Sequence, residues 1–244
     1  MRIFRSFLTI LCFGGFGIGG FIIGTIIFPI TTLFALKQKQ LFSLTNTIHY
    51  AWIFFIKVLI FLRLISLKVS PKSNPKEIKG TIIVANHPTL LDIVLLISII
   101  PNSVCIVKNS LSKNFFIKRI VQRIYLINHE NPDIFLQKAN EFLSKGLNII
   151  IFPEGTRTDF SQKTHKLHRG FAHLAIKSHA AILPIKITCS PRILGKNQKW
   201  YDIGTKTANY HIQFMSPISV QKKTRYSEHQ QSQLLTKRIY LKLF

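Results

Sequence analysis

Thr81 to Asp92 read TIIVANHPTLLD. The first five residues are β-branched or small and apolar, the composition of a strand buried on both faces. Asn86 and His87 interrupt the apolar run, and Pro88 carries a φ suited to the first turn of a helix. The segment therefore predicts a strand, a turn bearing His87, and a helix entered near Asp92. In a straight helix, residues five apart occupy different faces; the bend lets the Asp92 carboxylate fold back onto the His87 ring. A carboxylate so placed fixes one imidazole tautomer and leaves the other nitrogen as a general base.

Downstream the same texture recurs. NSVCIV (102–107), LNIIIF (147–152) and AILPIKIT (181–188) read as strands, with NYHIQF (209–214) as one more. Segments near 89–99, 111–123, 133–145 and 168–179 read as helices. Alternating strands and helices predict an α/β fold, a largely parallel central sheet flanked by helices. No internal repeat is present.

Upstream, Ser6 to Leu36 contain no charged residue, with Arg2 and Arg5 before and Lys37 and Lys39 after. About 20 apolar residues suffice to cross a bilayer. Six glycines between Gly14 and Gly24, followed by Pro29, predict close helix packing, a kink or a hairpin. The run exceeds a secretory signal core and lacks an A-x-A-like cleavage site, so it reads as a retained apolar helical membrane motif. Basic residues flank both ends, which leaves its orientation unset. Ile48 to Val69, interrupted by Lys57, Arg63 and Lys68, fits either an interfacial helix or one packed on the folded domain. The organisation expected is membrane-associated helices over 1–70, a linker over 71–80, the α/β domain over 81–220, and a basic tail over 221–244. That tail reads as a solvated or lipid-facing helix.

Lys and Arg outnumber Asp and Glu by 33 to 9, a formal charge of +24, and mean hydropathy is +0.25. Such an excess calls for an anionic partner: lipid headgroups, an acidic carrier protein, a phosphorylated substrate or nucleic acid. The bases are dispersed, and neither a helix-turn-helix nor an aromatic RNA-binding signature occurs, so no nucleic acid is expected. A membrane-tethered nucleic-acid-binding protein is the contrasting reading, resting on charge alone. Cys12, Cys105 and Cys189 lack disulfide or zinc spacing, which fits a reducing location facing the cytoplasm.

A second element raises the weight of the first. Strand NIII is followed by FPEGTR, Phe152 to Arg157, at a strand's carboxyl end, where open α/β sheets place ligands. Gly155 permits a tight turn, and Arg157 offers a planar fork for phosphate or carboxylate. Spacing alone discriminates poorly: His168 and His173 stand five apart, as do Glu154 and Asp159, and neither pair receives an assignment.

Together NHPTLLD and FPEGTR resemble the glycerolipid acyltransferase family, whose best-known members are the 1-acylglycerol-3-phosphate acyltransferases. The resemblance covers roughly residues 80 to 190. Its further blocks are KLHRGFAHLA (166–175) and the proline-bearing strand ILPI (182–185). It implies acyl transfer from acyl-CoA or acyl-carrier protein to the hydroxyl of a lyso-lipid, with His87 as base and Asp92 orienting its ring. No acyl-enzyme, metal or prosthetic group is implied. The substrate-binding set expected is Asn86, Lys108, His129, Glu154, Gly155, Thr156 and Arg157, with Arg157 pairing an anionic headgroup. One departure concerns the acceptor. Where the family carries an arginine ending a short strand, YLINH (125–129) places His129, with Lys108, Arg119 or Arg123 as substitutes. Phosphatidate formation therefore stands beside another lyso-lipid or a secondary-metabolite hydroxyl. An inactive relative that binds lipid without turnover is a third class. The location implied is the inner membrane, with the domain facing the cytoplasm.

Overall fold

A computed structural model describes residues 2–36, 39–70, 77–107, 109–128, 131–162, 164–220 and 226–244. Its centre is a seven-stranded sheet ordered β1-β7-β6-β2-β5-β3-β4. In chain order the strands are β1 (Ile65–Ser70), β2 (Ile82–Ala85), β3 (Ser103–Val107), β4 (Leu126–Ile127), β5 (Asn148–Ile151), β6 (Ile182–Ser190) and β7 (Ala208–Phe214). The run β6-β2-β5-β3-β4 is parallel throughout. β7 runs antiparallel to β6 and carries β1 parallel to itself, so the predicted parallel core gains a reversed two-strand margin.

The sheet is covered on both faces. Ile83 and Ala85 of β2 enter a core shared with α3 (Gln40–Phe61), α4 (Asp92–Ile99) and α6 (Lys118–Ile124). Ile82 and Val84 enter a second core with α7 (Pro132–Ser144), α8 (Gly170–Ser178) and α9 (Glu228–Leu243). This alternation is the period of two expected of a strand packed on both sides. Phe171 on α8 is 1% exposed; full burial of such a side chain contributes about 1.5–3 kcal/mol. Asn148 is fully buried, yet satisfied: its Oδ1 accepts the Thr81 N–H at 3.1 Å and its Nδ2 donates to the Ile78 carbonyl at 2.8 Å. Gly80 at the same corner has φ +58°, and a Cβ there would sit 2.8 Å from the Leu143 carbonyl oxygen. Only glycine fits.

N-terminal to the sheet lie α1 (Arg2–Ile22), a π-turn (Ile23–Ile27), α2 (Phe28–Phe34) and α3. The π-turn closes with the Phe28 N–H on the Ile23 carbonyl. It sits just ahead of Pro29, whose ring cannot donate and crowds the preceding turn. Thus the expected kink is a widened helical turn, and α2 packs against α3. Arg2–Phe34 and Gln40–Phe61 are each long and apolar enough to cross a membrane. Leu33, Phe34 and Phe61 are at least 80% exposed, leaving a broad apolar surface uncovered by protein.

Three expectations need correction. Ile48 to Val69 is not one helix: α3 ends at Phe61, Arg63 takes φ +53°, and Ile65–Ser70 becomes β1. The boundary expected at residue 70 thus cuts off a strand that belongs to the sheet. The helix expected over 111–123 is two short pieces, α5 (Asn109–Ser112) and α6. Finally, the tail helix α9 is packed rather than free, with Ile239 and Leu243 buried against α8 and β6. Lys108 and His129 lie outside the described residues.

Candidate active site

Neighbouring parallel strands deliver their carboxyl ends side by side, about 4.8 Å apart. β2 lies between β5 and β6. The turn after β2, bearing His87, is therefore brought against the turn after β5, bearing Phe152 to Arg157. His87 Nδ1 sits 2.8 Å from Asp92 Oδ2, at the first residue of α4. The Asp92 carboxylate is fully buried and has three donors aimed at it. Besides the imidazole, the Thr89 N–H reaches Oδ2 at 2.7 Å and the Thr89 hydroxyl reaches Oδ1 at 2.6 Å. Tyr210 of β7 donates its hydroxyl to Thr89 Oγ1 at 2.9 Å, extending the chain of bonds into the core. Burial pushes the Asp92 carboxyl above its ordinary range, while the His87 ring and Thr89 pull it back.

His87 is gripped from the other side by its backbone. Its N–H donates to Glu154 Oε1 at 2.9 Å and more weakly to Thr158 Oγ1 at 3.2 Å. The Thr158 hydroxyl donates to the same Glu154 oxygen at 2.8 Å, and the Thr158 N–H to the His87 carbonyl at 2.7 Å. Phe152 stacks on the imidazole, with ring centroids 4.1 Å apart and planes 17° from parallel. The ring is thus fixed by a carboxylate at one nitrogen and by a phenyl face below. Its side chain remains 18% exposed. Glu154, half-buried, is raised from its ordinary value by burial, against the His87 and Thr158 bonds.

The turn at FPEGTR depends on Gly155, whose φ of +66° favours glycine. A Cβ there would come within 3.3 Å of the His168 ring, and the His168 N–H donates to the Pro153 carbonyl at 2.8 Å. No group of three His, Cys, Asp or Glu that could hold a metal occurs among the described residues.

Comparisons with known proteins place the chain in a family and a fold. A family model described as Acyltransferase matches residues 66–188, half of the chain. The chain belongs to the Acyltransferase family. Among this acyltransferase chain's relatives, the 1-acyl-sn-glycerol-3-phosphate acyltransferase of Cocos nucifera is 30% identical over 59% of this chain and 50% of its own length. That of Limnanthes douglasii is 27% identical over 51% and 46%. The chain thus spans about half the length of the curated relatives it matches. The crystal structure of the 1-acyl-sn-glycerophosphate (LPA) acyltransferase PlsC from Thermotoga maritima shares the fold. Its TM-score is 0.76 at 20% identity, over 99% of this chain and 96% of that one.

Within this acyltransferase chain the expected site residues divide. His87, Asp92 and Glu154 are joined by hydrogen bonds, while Gly155 and Arg157 follow in the turn after β5. Arg157 Nη1 donates to the carbonyls of Leu194 and Gly195 at 2.9 and 2.8 Å, so half of its fork braces the 191–206 loop. Thr156 is exposed, with no hydrogen bond among the described residues. Asn86 is buried, and its amide exchanges two bonds with the Ile187 backbone, Nδ2 to O at 2.8 Å and Oδ1 from N at 2.7 Å. Both polar atoms of Asn86 thereby lock β2 to β6 and are not turned to a ligand, contrary to expectation. Thr89, Thr158 and Tyr210 were missed. Nothing in the sequence around Tyr210, which is 121 residues from Thr89, points to this role.

The five-residue spacing that succeeds at His87 fails elsewhere. Asp159 pairs with Lys196 at 3.0 Å and is held down at about 2, first by the Ser161 hydroxyl and then by Lys196.

Proposed function

We propose that the chain transfers an acyl group from a thioester, acyl-CoA or acyl-carrier protein, to the hydroxyl of a lyso-lipid. The observation that carries this reading is the buried Asp92 carboxylate on His87 Nδ1. With the carboxylate accepting at Nδ1, the proton resides there and the Nε2 lone pair is available. Nε2 takes the proton of the lipid hydroxyl as its oxygen attacks the thioester carbonyl, and the C–O bond forms. As the C–S bond breaks, the imidazolium returns that proton to the departing thiolate. Asp92 stabilises the imidazolium between these steps without accepting its proton. This sequence needs no acyl-enzyme and no metal.

The acceptor is read as 1-acylglycerol-3-phosphate. The relatives' being 1-acyl-sn-glycerol-3-phosphate acyltransferases supports this, as does the part of the Arg157 fork that carries no bond among the described residues. A second acceptor class, an uncharged or zwitterionic lyso-lipid, is favoured by Nη1 of the same arginine being held by two carbonyls. The membrane is the site of action, because Arg2–Phe34 and Gln40–Phe61 present lipid-compatible surfaces. All three cysteines are free, which suits a cytoplasmic aspect for the site.

Membranes carrying the chain, incubated with labelled acyl-CoA or acyl-carrier protein and a lyso-lipid panel, test the reading. Thioester consumption coupled to product with 1-acylglycerol-3-phosphate is expected. Product only with uncharged or zwitterionic acceptors selects the second class, and no product with any acceptor sinks the acyl-transfer reading.

A further inference from the structure

At the carboxyl edge of the sheet, on the α9 side, lies a cavity of about 630 Å³. Asn86 and Pro88, the residues on either side of His87 in the chain, form part of its wall. The opposite wall is the last turn of α9, where Leu243 supplies an apolar surface and Phe244 an aromatic one. Lys186 of β6 enters from the same side, having the parity of Ile182 in the α9-side core. Arg192 closes one rim, its guanidinium carbon 3.9 Å from the centroid of the Phe160 ring.

Its charge is as one-sided as its position. No aspartate or glutamate side chain lines the cavity among the described residues. Neither Lys186 nor Arg192 forms an ion pair among the described residues; Asp159, the chain neighbour of Phe160, is taken by Lys196. An unpaired lysine and arginine beside an apolar wall suit a ligand that is slender, partly apolar and phosphorylated. The volume is ordinary for a small-molecule site, commonly about 300–1,000 Å³. Two other grooves contrast with it. One of about 530 Å³ between α1, α3 and α6 is lined by no charged residue and is thus unable to balance a phosphate. One of about 470 Å³ shares Arg192 but holds Asp202 and lies away from the residues flanking His87 in the chain.

We propose that the α9-side cavity holds the phosphorylated pantetheine arm of the acyl donor, its thioester end at His87 and its phosphate between Lys186 and Arg192. The inference rests on the acyl-transfer reading and adds the donor's position to it. Coenzyme A and acyl-carrier protein both present this arm, so one site serves either source. Lys186 and Arg192 act on binding alone; neither touches the reacting atoms.

The experiment uses the full chain in vesicles of neutral phospholipid, with Lys186→Ala, Arg192→Ala and the double variant. The expected result is a donor KM raised about tenfold for each cation removed, as for loss of a charge-assisted bond. kcat and the acceptor KM should hold within about twofold, and Lys186→Arg should restore most of the donor KM. The shift should appear with acyl-CoA and acyl-carrier protein alike. A shift with acyl-CoA alone would place the contact on its nucleotide phosphates and overturn the arm assignment. Unacylated coenzyme A, titrated calorimetrically without turnover, separates the two readings. Wild type that binds it but transfers nothing overturns acyl transfer and leaves the cavity assigned. Wild type that turns over, with donor KM unmoved in the double variant, overturns the cavity assignment.

Discussion

The two turns that meet at His87 do different work. The turn after β2 acts on the imidazole through side chains: Asp92 binds Nδ1, Thr89 binds Asp92, and Tyr210 binds Thr89. The turn after β5 mostly grips the backbone: Glu154 accepts the His87 N–H, Thr158 bonds both ends of that residue, and half of Arg157 is held by a loop. Only Phe152 of that second turn reaches the ring. A recognisable motif is therefore not a roll of reacting groups. One half sets protonation and orientation of the base; the other fixes where the base stands. Substitutions in the first half should alter chemistry, and those in the second should alter position.

The largest effect belongs to the ring and its carboxylate. His87→Ala should lower kcat by about 10²–10⁴, the range for loss of a positioned general base. Asp92→Asn should fall in the same range while keeping, or raising, Tm near neutral pH. Burial already disfavours the charge at Asp92, so the neutral amide relieves a cost of folding. Steady-state kinetics and calorimetry on both variants check this. If Asp92→Asn unfolds the chain while the surviving fraction stays active, the carboxylate is a structural strut and the distinction between halves fails.

Thr89→Val should come next. It removes the hydroxyl donor to Asp92 Oδ1 and leaves Tyr210 without its acceptor. A bond to a charged group contributes about 1.5–3 kcal/mol, so a loss of roughly tenfold or more in kcat is expected. Tyr210→Phe should cost less, because Thr89 still bonds Asp92. Equal losses in the two variants would mean that the hydroxyl chain acts as one unit, which a double-mutant cycle would show.

Much of this was legible in the sequence, for physical reasons that also mark where it stopped. TIIVA and NIII have no polar residue except at their ends, a signature of strands buried on both faces, and the His87 and Glu154 turns follow them directly. β1 was hidden: ISLKVS alternates with period two, but it follows an apolar helix with only a short break at Leu62 to Leu64. The apolar run masked the change of period. Asn86 misled because a buried amide beside a catalytic-looking histidine reads as a ligand contact. Its partner, the Ile187 backbone, lies 101 residues away. Thr89 and Tyr210 were illegible for the same reason: the pairing of β6 and β7 brings them together, and no local pattern reports a sheet register.

The smallest effect is the one that separates the two halves most sharply. Glu154→Gln keeps an oxygen to accept from the His87 N–H and the Thr158 hydroxyl, so the grip on the backbone survives. kcat should stay within about fivefold of wild type, the equivalent of roughly 1 kcal/mol. Stability should change with pH instead. Because burial raises the Glu154 carboxyl above its ordinary 4.5, the fold favours its protonated form. That contribution is fully present below 4.5 and is lost as pH rises through the raised value. Glutamine cannot ionise, so the Tm of the variant relative to wild type should climb over that window and then level off. Melting curves at closely spaced pH values read this directly. A Tm difference that is flat with pH, or a kcat loss as deep as that of Asp92→Asn, would mean that Glu154 acts on the reacting atoms in its ionised form and that both turns belong to the chemistry.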